Sequence, residues 1–174
     1  MNRMLSRRQA LVTLTVAFMA KLSRTARAAQ LPQPSEKPIL TVFGKIRVFN
    51  KDASAQFDRA MLEALGTIAF STATPWYKEP VTFEGVPLAK LLELLQVRGD
   101  TLVAVALNDY TTEIPITDAT KYNPILALKR NGEYMPVRDK GPIFIVYNYD
   151  SDPELKSQKY YSRSAWQVTR IEIK

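Results

Sequence analysis

An α+β fold is what this sequence predicts, and three observations carry the prediction. Short β-forming runs recur along most of the 174 residues, separated by turn signals. Only two stretches carry an apolar stripe at helical spacing. Strands and helices also fail to alternate in the regular order that a wound parallel sheet demands. The expected architecture is therefore mixed β-sheets with two main helices.

Each element follows from its residues. Ile39–Phe43 reads as the first strand, and Gly44–Asn50 continues extended. Ser54 is the expected N-cap of a helix reaching Leu65, because Phe57, Met61, Leu62 and Leu65 share one face. Gly66 would end that helix. Thr67–Thr72 (TIAFST) is rich in β-formers, and Thr74-Pro75-Trp76 breaks it into a loop. Val81–Phe83 is a short extended stretch followed by an expected turn at Glu84-Gly85. Pro87 opens the second helix, whose buried stripe is Leu88, Leu91, Leu92 and Leu95. Thr101–Leu107 and Tyr110–Ile116 read as strands on either side of an Asn108-Asp109 turn. Ile125–Lys129 and Tyr134–Val137 flank Arg130-Asn131-Gly132-Glu133, where Asn-Gly is a strong hairpin signal. Pro142 leads into an apolar strand, Ile143–Tyr147. Asp150–Ser164 is polar and expected to be partly helical, and Val168–Ile173 closes the chain as a strand.

Residues 1–28 have the form of an export leader. Arg3, Arg7 and Arg8 precede an apolar run from Ala10 to Ala20, and Ala26-Arg27-Ala28 has the small-x-small form of a cleavage site. Arg7-Arg8 within Ser6–Leu11 resembles a twin-arginine signal; an ordinary secretory signal with two adjacent arginines is the other reading. A periplasmic location is the expectation. Residues 29–38 contain Leu31–Pro38, with three prolines in eight residues, and read as an extended linker. Residues 39–174 then form one domain. The leader carries six basic and no acidic side chains, so the rest has 18 Lys and Arg against 17 Asp and Glu. That near-neutral balance removes the basic footprint of a nucleic-acid binder.

The chain contains no cysteine and no histidine. Disulfides are impossible, and protein ligands to a metal are confined to oxygen donors, which suit Mg²⁺ or Ca²⁺ rather than zinc, haem or iron–sulfur centres. A Ser-His-Asp hydrolase is excluded. Gly-rich dinucleotide and Walker sequences are absent. Asp150, Asp152 and Glu154 lack the glycine and terminal glutamate of a calcium loop, and Pro153 interrupts them, so a solvated acidic loop is expected.

Several stretches occur in a telling order. They are Phe83-Glu84-Gly85-Val86-Pro87-Leu88 running into Leu91-Leu92, then Ala106-Leu107-Asn108-Asp109-Tyr110, Ile114-Pro115-Ile116 and Asp118. Leu128, Asn131-Gly132-Glu133 and Pro136 follow, then Gly141-Pro142, Trp166 and Arg170-Ile171. From about Thr67 onward this pattern resembles the molybdopterin-binding domain of the sulfite oxidase family. In that family a cysteine thiolate on the loop before the Gly-Val-Pro-Leu element ligates molybdenum, and the equivalent position falls near Thr72-Ala73. A threonine hydroxyl is a far poorer soft-metal ligand than a thiolate. The chain is more similar to periplasmic members that lack this cysteine. That resemblance implies a reduced, metal-free pterin as ligand. It also implies, as partner, the periplasmic domain of a membrane protein that makes or degrades cyclic di-GMP. Two other readings stay open: a molybdopterin-dependent oxidoreductase or its accessory subunit, and a structural interaction domain with a filled pocket. The oligomeric state is not set by the sequence.

A pterin is a flat heterocycle edged with donors and acceptors, so its site needs an aromatic face and polar groups at the ring edge. Thr72, Thr74 and Trp76 lie on the loop that replaces the metal-ligating segment; Trp76 is either a stacking residue or a core plug. Asp109 and Tyr110 sit at a hairpin turn, where turn chemistry competes with a place at the pocket rim. Arg138 could meet an anionic or carbonyl edge, or be simply solvated, as could Arg130. In the relatives the stretch before the final strand lines the cofactor pocket, which nominates Tyr161, Ser162, Ser164 and Trp166. The alternative is an irregular segment pinned by its aromatics against the sheet.

Overall fold

The computed structural model describes residues 31–174; the expected leader, residues 1–28, lies outside them. Two five-stranded sheets organise the chain. The first runs β2 (Ser54–Phe57), β1 (Leu40–Gly44), β10 (Val168–Ile173), β5 (Thr101–Ala106) and β6 (Thr111–Pro115). Within it β1 and β10 are parallel and the remaining neighbours are antiparallel. The second runs β3 (Ile68–Thr72), β4 (Val81–Pro87), β7 (Ile125–Arg130) and β8 (Glu133–Tyr134), with β9 (Phe144–Val146) also paired to β7. Four short helices complete the described residues: α1 (Arg59–Glu63), α2 (Leu88–Leu94), α3 (Thr117–Lys121) and α4 (Gln158–Arg163). None is long and apolar enough to cross a membrane.

One apolar core joins the sheets. Val42, Leu102 and Ile171 enter it from the first sheet, and Phe83, Leu126 and Ile145 from the second, all fully buried. Every residue of Ile125–Leu128 is buried, which marks β7 as a central strand covered on both faces. Helix α2 forms where Pro87 starts it, and Leu88, Leu91, Leu92 and Leu95 all reach the core as their spacing predicts.

Two expectations are corrected. The predicted helix from Ser54 begins only at Arg59, because Ser54–Phe57 is an edge strand paired with β1, Leu40 opposite Phe57. Ala55 and Phe57 are buried while Ser54 and Gln56 are half-buried, a period of two that overrides the helical spacing of Phe57 with Met61. The N-cap is Asp58, whose carboxylate accepts the Met61 N–H at 2.9 Å. Glu84-Gly85 is likewise no turn. Strand β4 runs through it with a bulge in its pairing to β7, and a Cβ at Gly85 would stand 2.1 Å from the Leu126 carbonyl oxygen.

The Asn-Gly hairpin forms as predicted, with Asn131 at φ 49° and Gly132 at φ 85°, both in the left-handed region that a tight β-turn requires. Its second strand is shorter than expected, ending at Tyr134 before a single 3₁₀ turn at Val137–Asp139. The segment Leu31–Pro38 has no regular structure but is held to the domain. Leu31 is buried, and the buried Asp58 carboxylate accepts from Ser35 N–H at 2.7 Å and Glu36 N–H at 3.1 Å.

Candidate functional site

A cavity of about 410 Å³ opens where four chain segments meet, a size typical of small-molecule sites. The loop after β3 brings Pro75 and Trp76, and the β5–β6 turn brings Asn108 and Tyr110. Helix α4 supplies Gln158, Tyr161 and Ser162, and the segment before β10 supplies Ser164 and Trp166; Ala106 completes the lining. No lining residue carries a charge.

Trp76 is the hub of the wall. Its ring meets Phe144, Tyr149, Tyr161 and Trp166 edge-on, with centroids 5.3, 6.1, 6.0 and 5.9 Å away. Edge-to-face packing of this kind fixes ring orientation. Trp76 therefore both packs on the core and faces the cavity, so the two readings of it are not exclusive. Thr74 supports the turn by accepting the Trp76 N–H at 3.4 Å. Opposite, Tyr110 is half exposed, and its hydroxyl lies 3.4 Å from the Ser162 carbonyl oxygen, to which Thr112 also donates at 2.9 Å. These two bonds tie β6 to the end of α4. Ser164 is buried; its Oγ donates to the Tyr160 carbonyl at 2.9 Å and bonds the Tyr149 hydroxyl. Burial pushes the Tyr149 hydroxyl well above its ordinary pKa, so it stays protonated.

The end of α4 is clamped by a mostly buried ion pair. Arg163 meets Asp118 at 2.8 Å, and the Tyr147 hydroxyl donates to the same Asp118 oxygen at 2.7 Å. Burial foremost, then this bond to Asp118, holds Tyr147 protonated at every relevant pH. On the outer side, Lys140 places its ammonium 3.9 Å from the Trp166 ring centroid and within 5.7 Å of the Trp76 and Phe144 centroids. Desolvation among these rings lowers the Lys140 pKa.

Of the residues nominated from sequence, Trp76, Tyr110, Tyr161, Ser162, Ser164 and Trp166 come together around the cavity. Thr72, Thr74, Asp109 and Arg138 do not line it. Thr72 is fully buried, and its Oγ1 accepts the Asp150 N–H at 3.1 Å. Asp109 points to the surface and pairs with Arg170 at 2.8 Å. Arg138 is exposed on the 3₁₀ turn. Arg130 is occupied by Asp139 at 2.6 Å and the Tyr77 hydroxyl at 2.8 Å. The acidic triplet is also more engaged than a solvated loop. Asp150 accepts from Ala73 N–H at 2.6 Å and Lys156 at 2.7 Å, Asp152 caps the turn Pro153–Leu155, and Glu154 binds Tyr122, Tyr160 and Lys121. The Tyr122 hydroxyl foremost pulls the Glu154 pKa down to about 2.

Sequence reasoning missed Asn108, Gln158 and Lys140. Asn108 was visible as half of a turn dipeptide. Gln158 and Lys140 carry no local pattern, since their roles depend on which segments the sheets bring together.

The fold and the cavity define a small-molecule-binding α+β domain with an aromatic, uncharged wall. The sequence profile of the oxidoreductase molybdopterin binding domain matches residues 54–148, more than half the chain, and the protein belongs to that family. No curated protein matches the chain. Family membership supports a role in binding a pterin or molybdenum cofactor.

The two parts of such a cofactor fit unequally. The cavity offers stacking faces and ring-edge partners, among them the amides of Asn108 and Gln158, to a pterin. The position expected to ligate the metal offers only Thr72, whose hydroxyl is buried and already bonded to the Asp150 loop. Among the described residues no group of three or more carboxylates is placed to hold a metal ion.

Proposed function

We propose that this protein is an exported, non-catalytic pterin-binding protein. The observation that carries the reading is the pairing of an open aromatic cavity with a closed metal-ligand position. Trp76, Tyr161 and Trp166 line a cavity large enough for a bicyclic heterocycle, while Thr72 is hydrogen-bonded away from it. The uncharged wall suits a neutral, reduced pterin better than a phosphorylated, metal-bearing one, because no cation lines the cavity to meet a phosphate. Base–aromatic stacking, the nearest measured analogue, contributes about 1–3 kcal/mol per ring. Asn108 and Gln158 would supply the directional hydrogen bonds.

The protein would act as a sensory partner of the periplasmic domain of a membrane cyclic di-GMP cyclase or phosphodiesterase. The leader-like residues 1–28 and the similarity to cysteine-lacking periplasmic members support this. Tetrahydrobiopterin titrated into the purified protein should quench its tryptophan fluorescence saturably, with no stoichiometric molybdenum by elemental analysis. Absence of quenching, together with a chain that purifies free of any pterin, would sink the ligand. Stoichiometric molybdenum would return the oxidoreductase reading. Pterin-dependent co-purification with such a periplasmic domain tests the partner.

A further inference from the structure

A second concavity, of about 460 Å³, lies on the surface formed by the start of β1, the start of β10 and the loop before β9. Its lining combines apolar and cationic side chains and includes no carboxylate. Leu107 and Val137 stand at its rim about half exposed, 50% and 51%. Pro142 extends the apolar surface. Lys37, Arg59 and Arg170 surround it. Neither Lys37 nor Arg59 makes an ion pair among the described residues; Arg59 instead lies 4.3 Å over the exposed Tyr134 ring. Arg170 is held by Asp109, but both side chains are largely in solvent, so that pair is weak and exchangeable.

An exposed apolar patch bordered by charged side chains, two of them arginine, has the anatomy of a protein interface, and the one-signed charge selects the partner. We propose that this groove docks an acidic, leucine-like segment of a protein partner, its apolar side chains on Leu107, Val137 and Pro142 and its carboxylates on Lys37, Arg59 and Arg170. The groove and the aromatic cavity have no lining residue in common, but adjoining residues and backbone hydrogen bonds link them. Leu107 is the residue before Asn108, and its N–H donates to the Gln167 carbonyl at 3.0 Å. Gln167, next to Trp166, donates from its side chain to the Val137 carbonyl at 2.6 Å and from its N–H to Lys140 at 3.0 Å. A ligand that shifts Tyr110 or Trp166 therefore moves backbone that forms the groove. This coupling, unlike the docking itself, rests on the pterin reading.

A fluorescent peptide of alternating leucine and glutamate tests the site on the full chain. Saturable anisotropy is expected, weakened about tenfold or more by Leu107→Glu and by Arg59→Glu, while a leucine–lysine peptide stays unbound. Circular dichroism should show both variants folded, since both side chains are at the surface. Lys78→Glu, the same reversal of charge at an exposed lysine that lines neither concavity, should leave the peptide bound, which separates docking in the groove from general charge attraction. Equal binding of the two peptides, or no loss in either groove variant, overturns the proposal. So does binding to anionic phosphatidylglycerol vesicles with no peptide binding, which would assign the surface to a membrane. A change in peptide affinity on adding saturating tetrahydrobiopterin is expected from this backbone link; an unchanged affinity beside proven pterin quenching overturns the coupling.

Discussion

Helix α4 separates two regions that use similar residues in opposite ways. On its inner side every polar group is committed. Tyr160 is buried, its hydroxyl 2.8 Å from both Glu154 and Tyr122, and Arg163 is locked to Asp118. On the cavity side, one residue along, Tyr161 and Ser162 join Trp76, Tyr110 and Trp166 around a wall whose aromatic surface remains partly open. The contrast teaches how a small domain keeps a binding surface ready. Fully satisfied polar groups behind the helix fix its position, and that rigidity lets the aromatic wall in front stay partly open without collapsing.

The comparison breaks most severely at Asp118. Asp118→Ala leaves the mostly buried Arg163 guanidinium and the buried Tyr147 hydroxyl without their partner, and should cost about 3 kcal/mol of stability in urea unfolding. Trp166→Ala acts on the other side. It should weaken tetrahydrobiopterin by about 1–3 kcal/mol in a fluorescence or calorimetric titration, with a much smaller shift of the urea midpoint because Trp166 is 38% exposed. If the stability ranking of these two variants is reversed, the division between holding and binding faces fails.

A third test moves away from α4 to another buried carboxylate. The Met61 N–H foremost, then those of Glu36 and Ser35, hold the Asp58 pKa below the usual carboxylate range, against a desolvation penalty. A depressed folded pKa means that its stabilisation is complete above the unfolded value near 3.9 and disappears as pH falls through the lower folded value. Asp58→Asn should therefore flatten the acid limb of the stability curve, and because an amide nitrogen cannot accept the N–H groups that one carboxylate oxygen now takes, it should lose about 1 kcal/mol near neutral pH. Scanning urea midpoints from pH 7 down to strongly acid solution reads this directly. The smallest effect is expected from Lys140→Met, which keeps the aliphatic packing on Trp166 and removes the cation, costing about 0.5–1 kcal/mol. A changed tryptophan emission spectrum would accompany it.

Much of the scaffold was legible because its signals are local. The α2 stripe, the Asn131-Gly132 hairpin and the apolar closing strand each specify themselves within a few residues. Ser54–Phe57 was not, because a helical stripe from Phe57 to Leu65 competes with strand pairing that only the distant β1 supplies. Gly85 looked like a turn because its need for space comes from a strand some forty residues later. The site divides in the same way. Trp76 could be nominated because no periodic packing accounts for a large aromatic on that loop, whereas Tyr161 and Trp166 were nominated through the family resemblance. Thr72 and Asp109 were drawn in by neighbourhood along the chain, whereas their side chains turn to Asp150 and Arg170. Gln158 and Lys140 reach the cavity region only through tertiary assembly.

The Thr72–Asp150 contact has a consequence for any attempt to install a metal-ligating thiol beside it. Thr72 Oγ1 receives the Asp150 N–H, and Asp150 in turn receives the Ala73 N–H and the Lys156 ammonium. Writing a cysteine at that single position would place sulfur inside a latch that fastens two loops to each other. The thiol would inherit the latch before it could find a metal. A cysteine there could turn toward a ligand only if both loops were rebuilt together, so one substitution alone does not free that position.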